Sequence, residues 1–222
     1  MRHFHSNRLA RLSLVIAGVI LTACGTSPPS KFYQLSPMSR QTTPVSDVSS
    51  SHNVVIALGP VHVADYLDRP QIVTRSGKNE LNLSEFDRWA GSLEADISRV
   101  LVENISGFSP ADSLSVVRWT PYTESRAPAS LRVQVTVDRF EGTLGHSVEL
   151  AAQWTICGSD GSVLLRKESQ LTEKVAGSSY DALVAAMSGA LGRLSLDIFE
   201  GIAPALQSEQ ARKSSPEDGA RR

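Results

Sequence analysis

A run of apolar residues with a single serine, Ser13, extends from Leu12 to Leu21 and gives way to polar sequence by Gly25, and from Val54 onward apolar residues recur at two kinds of spacing. Spacing by two dominates the middle of the chain. Leu131, Val133, Val135 and Val137 alternate with Arg132, Gln134, Thr136 and Asp138, which predicts a half-buried strand with one wet face. Val148, Leu150, Trp154 and Ile156 keep one parity in the next segment, and Ser162–Lys174 follows it. The short glycine-bearing turns Gly142–Gly145 and Gly158–Gly161 make these three strands an antiparallel meander. Upstream, Val54–Val63 reads as a strand in which Gly59-Pro60 implies a bulge or an edge with a missing donor. Gln71–Thr74 and Glu80–Leu83 form a small hairpin around Ser76-Gly77-Lys78-Asn79, Leu114–Trp119 is a further strand, and Phe32-Tyr33-Gln34-Leu35 is an isolated edge strand.

Two segments keep helical spacing instead. Ser84 and Asp87 have capping-box spacing ahead of Phe86, Trp89, Leu93, Ile97, Val100 and Leu101, so the first helix is expected to start near Ser84 and to end in a left-handed cap at Gly107. The second starts near Ser178, with an acid three positions on at Asp181. It presents Tyr180, Leu183, Val184, Met187, Leu191, Leu194 and Ile198 on one stripe, with its end expected at Pro204. Gly189, Gly192 and Gly201 weaken it by about 1 kcal/mol each relative to alanine unless close packing offsets that. The fold class that follows is α/β (α+β). A single domain is expected, with a mixed sheet of about five or six strands, an antiparallel C-terminal meander and two amphipathic helices on the sheet.

The first apolar run belongs to a different kind of segment. Arg2, Arg8 and Arg11 precede it, and its ten residues at about 1.5 Å each span only roughly half a bilayer core, which fits an export signal and is short for a permanent span. Leu21-Thr22-Ala23-Cys24 then resembles the bacterial lipobox: small residues precede the bond cleaved between Ala23 and Cys24, and the Cys24 thiolate is the nucleophile that accepts a diacylglyceryl group. The bland alternative is an ordinary secretory signal cleaved near Ala23 beside an accidental cysteine. Gly25-Thr26-Ser27-Pro28-Pro29-Ser30 reads as a flexible tether, and glycine rather than aspartate at position 25 favours sorting to the outer membrane. The chain thus divides into a signal peptide at 1–23, a lipidated tether at 24–53 holding one edge strand (32–35), a domain at 54–206 and a disordered tail at 207–222.

Charge and chemistry narrow the function. Loss of residues 1–23 removes three arginines and no acid from 22 basic and 23 acidic residues, leaving a formal charge of about −4, so nucleic acid is not an expected partner. With Cys24 acylated, Cys157 has no partner for an intramolecular disulfide and is expected to be a small buried side chain. His52, His62 and His146 are far apart and lack metal-ligand spacing; no GxSxG elbow and no phosphate loop is present. Asp65 and Asp68 could act as acid and base, but loop acids beside Arg69 more often make local caps and ion pairs. Trp89 and Trp154 lie on core stripes, while Trp119 is open to either packing or stacking. No catalytic residue, cofactor or metal is expected.

The order of these features resembles a known family. The lipobox, Phe32-Tyr33-Gln34-Leu35, the segment from Gly59-Pro60-Val61 through Tyr66-Leu67-Asp68-Arg69-Pro70-Gln71-Ile72-Val73, and Arg88-Trp89-Ala90 are similar to the ABC-type transport auxiliary lipoproteins of the PqiC-like kind. Asp138-Arg139-Phe140-Glu141, Leu150-Ala151-Ala152-Gln153-Trp154 and Tyr180-Asp181-Ala182-Leu183-Val184 fit too, so the resemblance covers about residues 24–203. Cys157-Gly158 departs from it where a polar turn residue is usual. The resemblance implies a non-enzymatic periplasmic domain held to the outer membrane by acyl chains on Cys24. It further implies docking on an MCE-domain protein that spans the periplasm and works with an inner-membrane partner in phospholipid transport and envelope integrity, and self-association into a homo-oligomer. Tyr66, Leu67, Asp68, Arg69 and Pro70 are the candidate partner surface, since a proline-closed loop presenting an aromatic and an arginine suits an interface; the same residues equally suit a packed structural corner. Two rival functions share the anchor or the compartment, a general envelope-assembly lipoprotein and a periplasmic hydrolase.

Overall fold

The computed structural model describes residues 28–38, 54–109, 114–120 and 129–214. The expected export signal, Cys24, residues 39–53 with His52, and the chain beyond Ser214 lie outside them. Among the described residues the order is β1 (Lys31–Tyr33), β2 (Val54–Val63), β3 (Gln71–Gly77), β4 (Glu80–Trp89), α1 (Leu93–Phe108), β5 (Leu114–Arg118), β6 (Leu131–Gly142), β7 (Ser147–Gly158), β8 (Val163–Lys174) and α2 (Tyr180–Ser214).

β6 is the axis of one mixed sheet. β7 runs antiparallel along one edge of it from Leu131 to Gly142, and β8 runs antiparallel on β7, which is the expected meander. The other edge of β6 is shared. β2 lies parallel against Leu131–Val137, with its register shifted between Leu58 and Val61 at the expected Gly59-Pro60 irregularity, and β3 takes over at Gly142, which pairs with Thr74. β5 flanks β2 in parallel, and β4 and then β1 extend outward from β3. The sheet therefore has eight strands, more than the about five or six expected, because the β3–β4 hairpin and β1 join it through that one rung.

Both helices cover one face. α1 packs on β2 and β5, α2 on β6, β7 and β8, and the two helices touch each other. Leu131, Val133, Val135 and Val137 of β6 and Val148, Leu150, Ala152, Trp154 and Ile156 of β7 point into this layer and are buried, while Gln134, Thr136, Asp138 and Gln153 are exposed on the other face. The core is thus a two-layer one, closed by the predicted stripes Leu93, Ile97, Val100 and Leu101 of α1 and Leu183, Val184, Met187, Leu191, Leu194 and Ile198 of α2. At about 1.5–3 kcal/mol per large buried side chain, these stripes outweigh any shortfall in helix propensity. By length and mean hydropathy α2 is able to cross a membrane, yet 56% of its apolar window is buried in the domain, as in a core helix.

Three boundaries differ from expectation. α1 begins at Leu93, capped by the Ser92 hydroxyl, and Phe86 and Trp89 belong to β4. The Ser84–Asp87 pairing does form, with Asp87 N–H donating to Ser84 Oγ at 3.0 Å, but it closes an irregularity in β4: five steps there, Leu83 to Arg88, face two in β3, Val73 to Gln71. α1 continues through Gly107 to Phe108, so that glycine is helical and not a left-handed cap. α2 starts beside Ser179, whose hydroxyl accepts from Ala182 N–H at 3.1 Å, and passes through Pro204 to Ser214. The proline costs roughly 3 kcal/mol. Burial of Ile202 and Ala205 on either side returns about as much.

Residues 207–214 are accordingly helix and not tail. Glu209, 6% exposed, accepts from Ser159 N–H at 3.2 Å and Ser159 Oγ at 2.7 Å, and pairs with Lys213 at 3.1 Å. Arg212 reaches Asp160 at 2.8 Å and also donates to Ser162. The last turns of α2 are thereby held on the β7–β8 turn. Of the three glycines expected to weaken α2, two sit where close packing needs them, since a Cβ at Gly192 would fall 2.6 Å from Met38 and one at Gly201 2.9 Å from the Trp154 ring, while one at Gly189 would make an ordinary contact with Glu173 at 3.5 Å.

Candidate functional site

The proline-closed loop Tyr66–Pro70 links β2 to β3 as a tight corner. Leu67 N–H donates to Ala64 O and Arg69 N–H to Leu67 O, each at 2.8 Å, within the corner, while Ala64 N–H donates to Val137 O of β6 at 2.9 Å and Trp89 N–H of β4 to Pro70 O at 2.8 Å, so both ends are tied to neighbouring strands. Leu67 is 1% exposed and belongs to the core, Tyr66 and Arg69 are half-buried, and Asp68 and Pro70 are exposed. The corner therefore offers Asp68, Pro70 and parts of Tyr66 and Arg69 to solvent on a rigid base.

That base rests on a buried carboxylate. β6 is irregular between Val137 and Arg139, which restores Phe140 to the core and leaves Glu141, 1% exposed, on the opposite face. Tyr66 donates its phenol to Glu141 Oε2 at 2.6 Å, and Arg75 donates to Oε1 from Nη2 at 2.6 Å and from Nε at 3.0 Å. Arg139 stands 3.8 Å away and pairs with Glu149 at 2.5 Å, directly across from Glu141 in register. Two carboxylates thus face two guanidinium groups. Burial and the bond to Glu141 push the Tyr66 phenol well above its ordinary range, so it stays a donor. This cluster binds the corner, β3 and β6 together at the point where β3 replaces β2 along β6. The cluster is not legible in the sequence, because Glu141 sits in a strand whose alternation changes phase at the irregularity.

A second arrangement lies at the opposite edge of the hairpin. After β1 the chain does not continue as a strand; it crosses the two helices as a strap whose backbone is satisfied by side chains. Leu35 N–H donates to Asp96 at 2.7 Å, Leu35 O accepts from Arg99 at 2.6 Å, Ser36 N–H donates to Ser188 Oγ at 3.0 Å, and Met38 N–H donates to Asn104 Oδ1 at 2.8 Å. Asn104 in turn donates to Ser195 at 3.0 Å in the core between α1 and α2. Beside the strap a groove of about 450 Å³ opens, with Phe32, Pro37 and Met38 on one wall and Asp181, Val184 and Ala185 on the other. Tyr33 closes its inner end, its hydroxyl donating to Asp87 at 2.8 Å; partial burial and that carboxylate raise its pKa to about 12. The signal available in the sequence was the placing of Asn104, Ser188 and Ser195 among apolar helix positions.

The other candidates are dispersed. Asp65, Asp68, His62 and His146 are exposed, and neither the groove nor a smaller cleft of about 240 Å³ at the start of α1 is lined by Asp65, Asp68 or His62. Among the described residues no three His, Cys, Asp or Glu side chains converge as metal ligands. Cys157 is 6% exposed, and Trp89 and Trp154 are in the core, as expected. Trp119 is half-buried after β5, with the Arg132 guanidinium 5.5 Å above its ring.

A sequence profile described as the ABC-type transport auxiliary lipoprotein component matches residues 33–199, from β1 into the buried part of α2. The chain belongs to this family. Across 189 residues it is 22% identical to the Escherichia coli K12 protein named intermembrane transport lipoprotein PqiC, covering 85% of this chain and 95% of that one. Among solved structures, the crystal structure of an uncharacterized protein is similar at a TM-score of 0.65 and 20% identity, with 79% of this chain and 99% of that one covered. A Xanthomonas campestris protein gives 0.62 at 16% identity, with 82% and 99% covered. These two share the two-layer fold. Family membership places the chain among envelope-associated transport lipoproteins.

Proposed function

We propose that this protein is the outer-membrane-anchored accessory subunit of a Pqi-like intermembrane phospholipid transport system. Acyl chains on Cys24 hold it on the periplasmic face, and its domain docks on a periplasm-spanning MCE-domain protein. The observation that carries the reading is the match over nearly the whole of both chains to a protein named as an intermembrane transport lipoprotein. The role is one of position and not of bond-breaking, and the Tyr66–Pro70 corner is the part of the domain best built for it. A rigid base under a small exposed set, Asp68, Pro70 and the edges of Tyr66 and Arg69, loses little entropy on binding.

The anchor is tested by fractionation. Cys24→Ser should leave a folded domain in the soluble periplasmic fraction and cells no more resistant to membrane-disrupting compounds than cells lacking the protein. Full retention of that variant in the outer membrane would contradict the anchor, and full resistance with a soluble variant would contradict the need for it.

A further inference from the structure

An acyl anchor at Cys24 leaves little chain between bilayer and domain. From Cys24 to Lys31, where β1 begins, the backbone spans at most about 25 Å. What stands at that end is apolar and turned outward. Phe32 is 65% exposed and Met38 50% exposed, and both line the same groove, with the exposed Lys31 next in sequence. The other large exposed apolar residues among those described, Leu83, Val163 and Leu196, line neither this groove nor the smaller cleft.

Neither Phe32 nor Met38 is a loose end. Phe32 is fixed in β1 by its pairing with Arg88, and Met38 is fixed by Asn104 and by its seat on Gly192. Holding two apolar side chains in water on a rigid support has a cost that solvent does not repay. An aromatic next to a lysine, within about 25 Å of acyl chains, has the chemistry of a contact with the headgroup–acyl boundary. Asp181, the acid on the groove's far wall, lies in the first turn of α2, where the helix dipole favours it.

We infer that the β1 edge and the strap form a foothold on the lipid surface, with Phe32 and Met38 in the boundary region and Lys31 against anionic headgroups. The acyl chains supply the attachment; the foothold fixes how the domain is turned upon it. This rests on acylation at Cys24, and the test separates the two. The full acylated chain carrying Gln34→Cys, which leaves Lys31, Phe32 and Met38 intact, is labelled with a fluorophore and reconstituted into phosphatidylethanolamine–phosphatidylglycerol vesicles with brominated acyl chains. Val163→Cys, 55% exposed at the start of β8, is the control, and Cys157 is too buried to take the label.

Bromine should quench the probe at position 34 at least twofold more than the one at 163, and Phe32→Asp in the same chain should bring quenching to the control level while flotation with the vesicles persists. Flotation with equal quenching at both positions overturns the foothold and leaves the anchor standing. Failure to float overturns the anchor and the foothold with it. Self-quenching at position 34 that grows with protein density and ignores bromine overturns the lipid contact in favour of a second copy paired on the β1 edge.

Discussion

Glu141 is the residue on which the β2–β3 corner depends. A carboxylate 1% exposed is tolerable only because Arg75 and Tyr66 satisfy it, and removing one member of such a set leaves the others desolvated. Glu141→Ala is expected to cost about 3 kcal/mol in urea unfolding, toward the lower end for buried pairs because Arg75 is a quarter exposed and rehydrates. A loss below about 0.5 kcal/mol would mean the cluster is incidental. Asn104 plays the matching part for the strap. Asn104→Ala strands Met38 N–H and leaves Ser195 Oγ with only the bond it donates to Leu191 O, for an expected loss of about 1–3 kcal/mol. The amide of Met38 should also exchange with solvent many times faster, while core amides such as that of Val135 keep their relative order of protection.

Elements were legible where one physical signal ruled. The meander from Leu131 to Lys174 and the stripe on α2 follow from periodicity alone, since each buries a single face. Signals that serve two geometries misled. Ser84 Oγ accepts from Asp87 N–H, one of the two bonds of a capping box, and donates to the Asp87 carboxylate inside an irregular strand, and Pro204 is carried within a helix because Ile202, Ala205 and Glu209 hold both flanks. Tertiary contacts decided these cases, and no local reading contains them. Two outcomes follow for the end of α2. Pro204→Ala should stabilise the domain by up to about 3 kcal/mol in thermal unfolding, the cost of a proline inside a helix. Acid should release the last turns. Hydrogen bonds from Ser162, then Arg212, pull Asp160 down to about 2, and hydrogen bonds from Ser159, then Lys213, lower Glu209. Folded values below unfolded ones make the contact whole above about pH 4 and lost as the pH falls toward 2. Hydrogen exchange over residues 205–214 should therefore accelerate between pH 4 and pH 2, relative to that of α1 and after correction for intrinsic rates.

For the whole molecule, the two candidate contact surfaces stand on the same end of β4, where Phe32 and Gln71 both pair with Arg88. In the proposed arrangement the β1 edge and its strap receive the tether from Cys24, and the Tyr66–Pro70 corner presents a small rigid surface one strand away across β4, whose Trp89 N–H donates to Pro70 O. The sequence showed the corner, because a proline-closed loop is a local signal, and it carries a lipobox-like signal at Cys24, which lies outside the described residues. It did not show that the corner stands on Glu141, or that the chain after β1 is clasped by both helices, because those pairings join residues 60 or more positions apart. Affinity recovery of the lipidated protein from outer membranes tests the account most directly. Recovery of a periplasm-spanning MCE-domain protein, lost on Asp68→Lys, is the result expected; recovery of outer-membrane assembly machinery with no MCE-domain protein would contradict it.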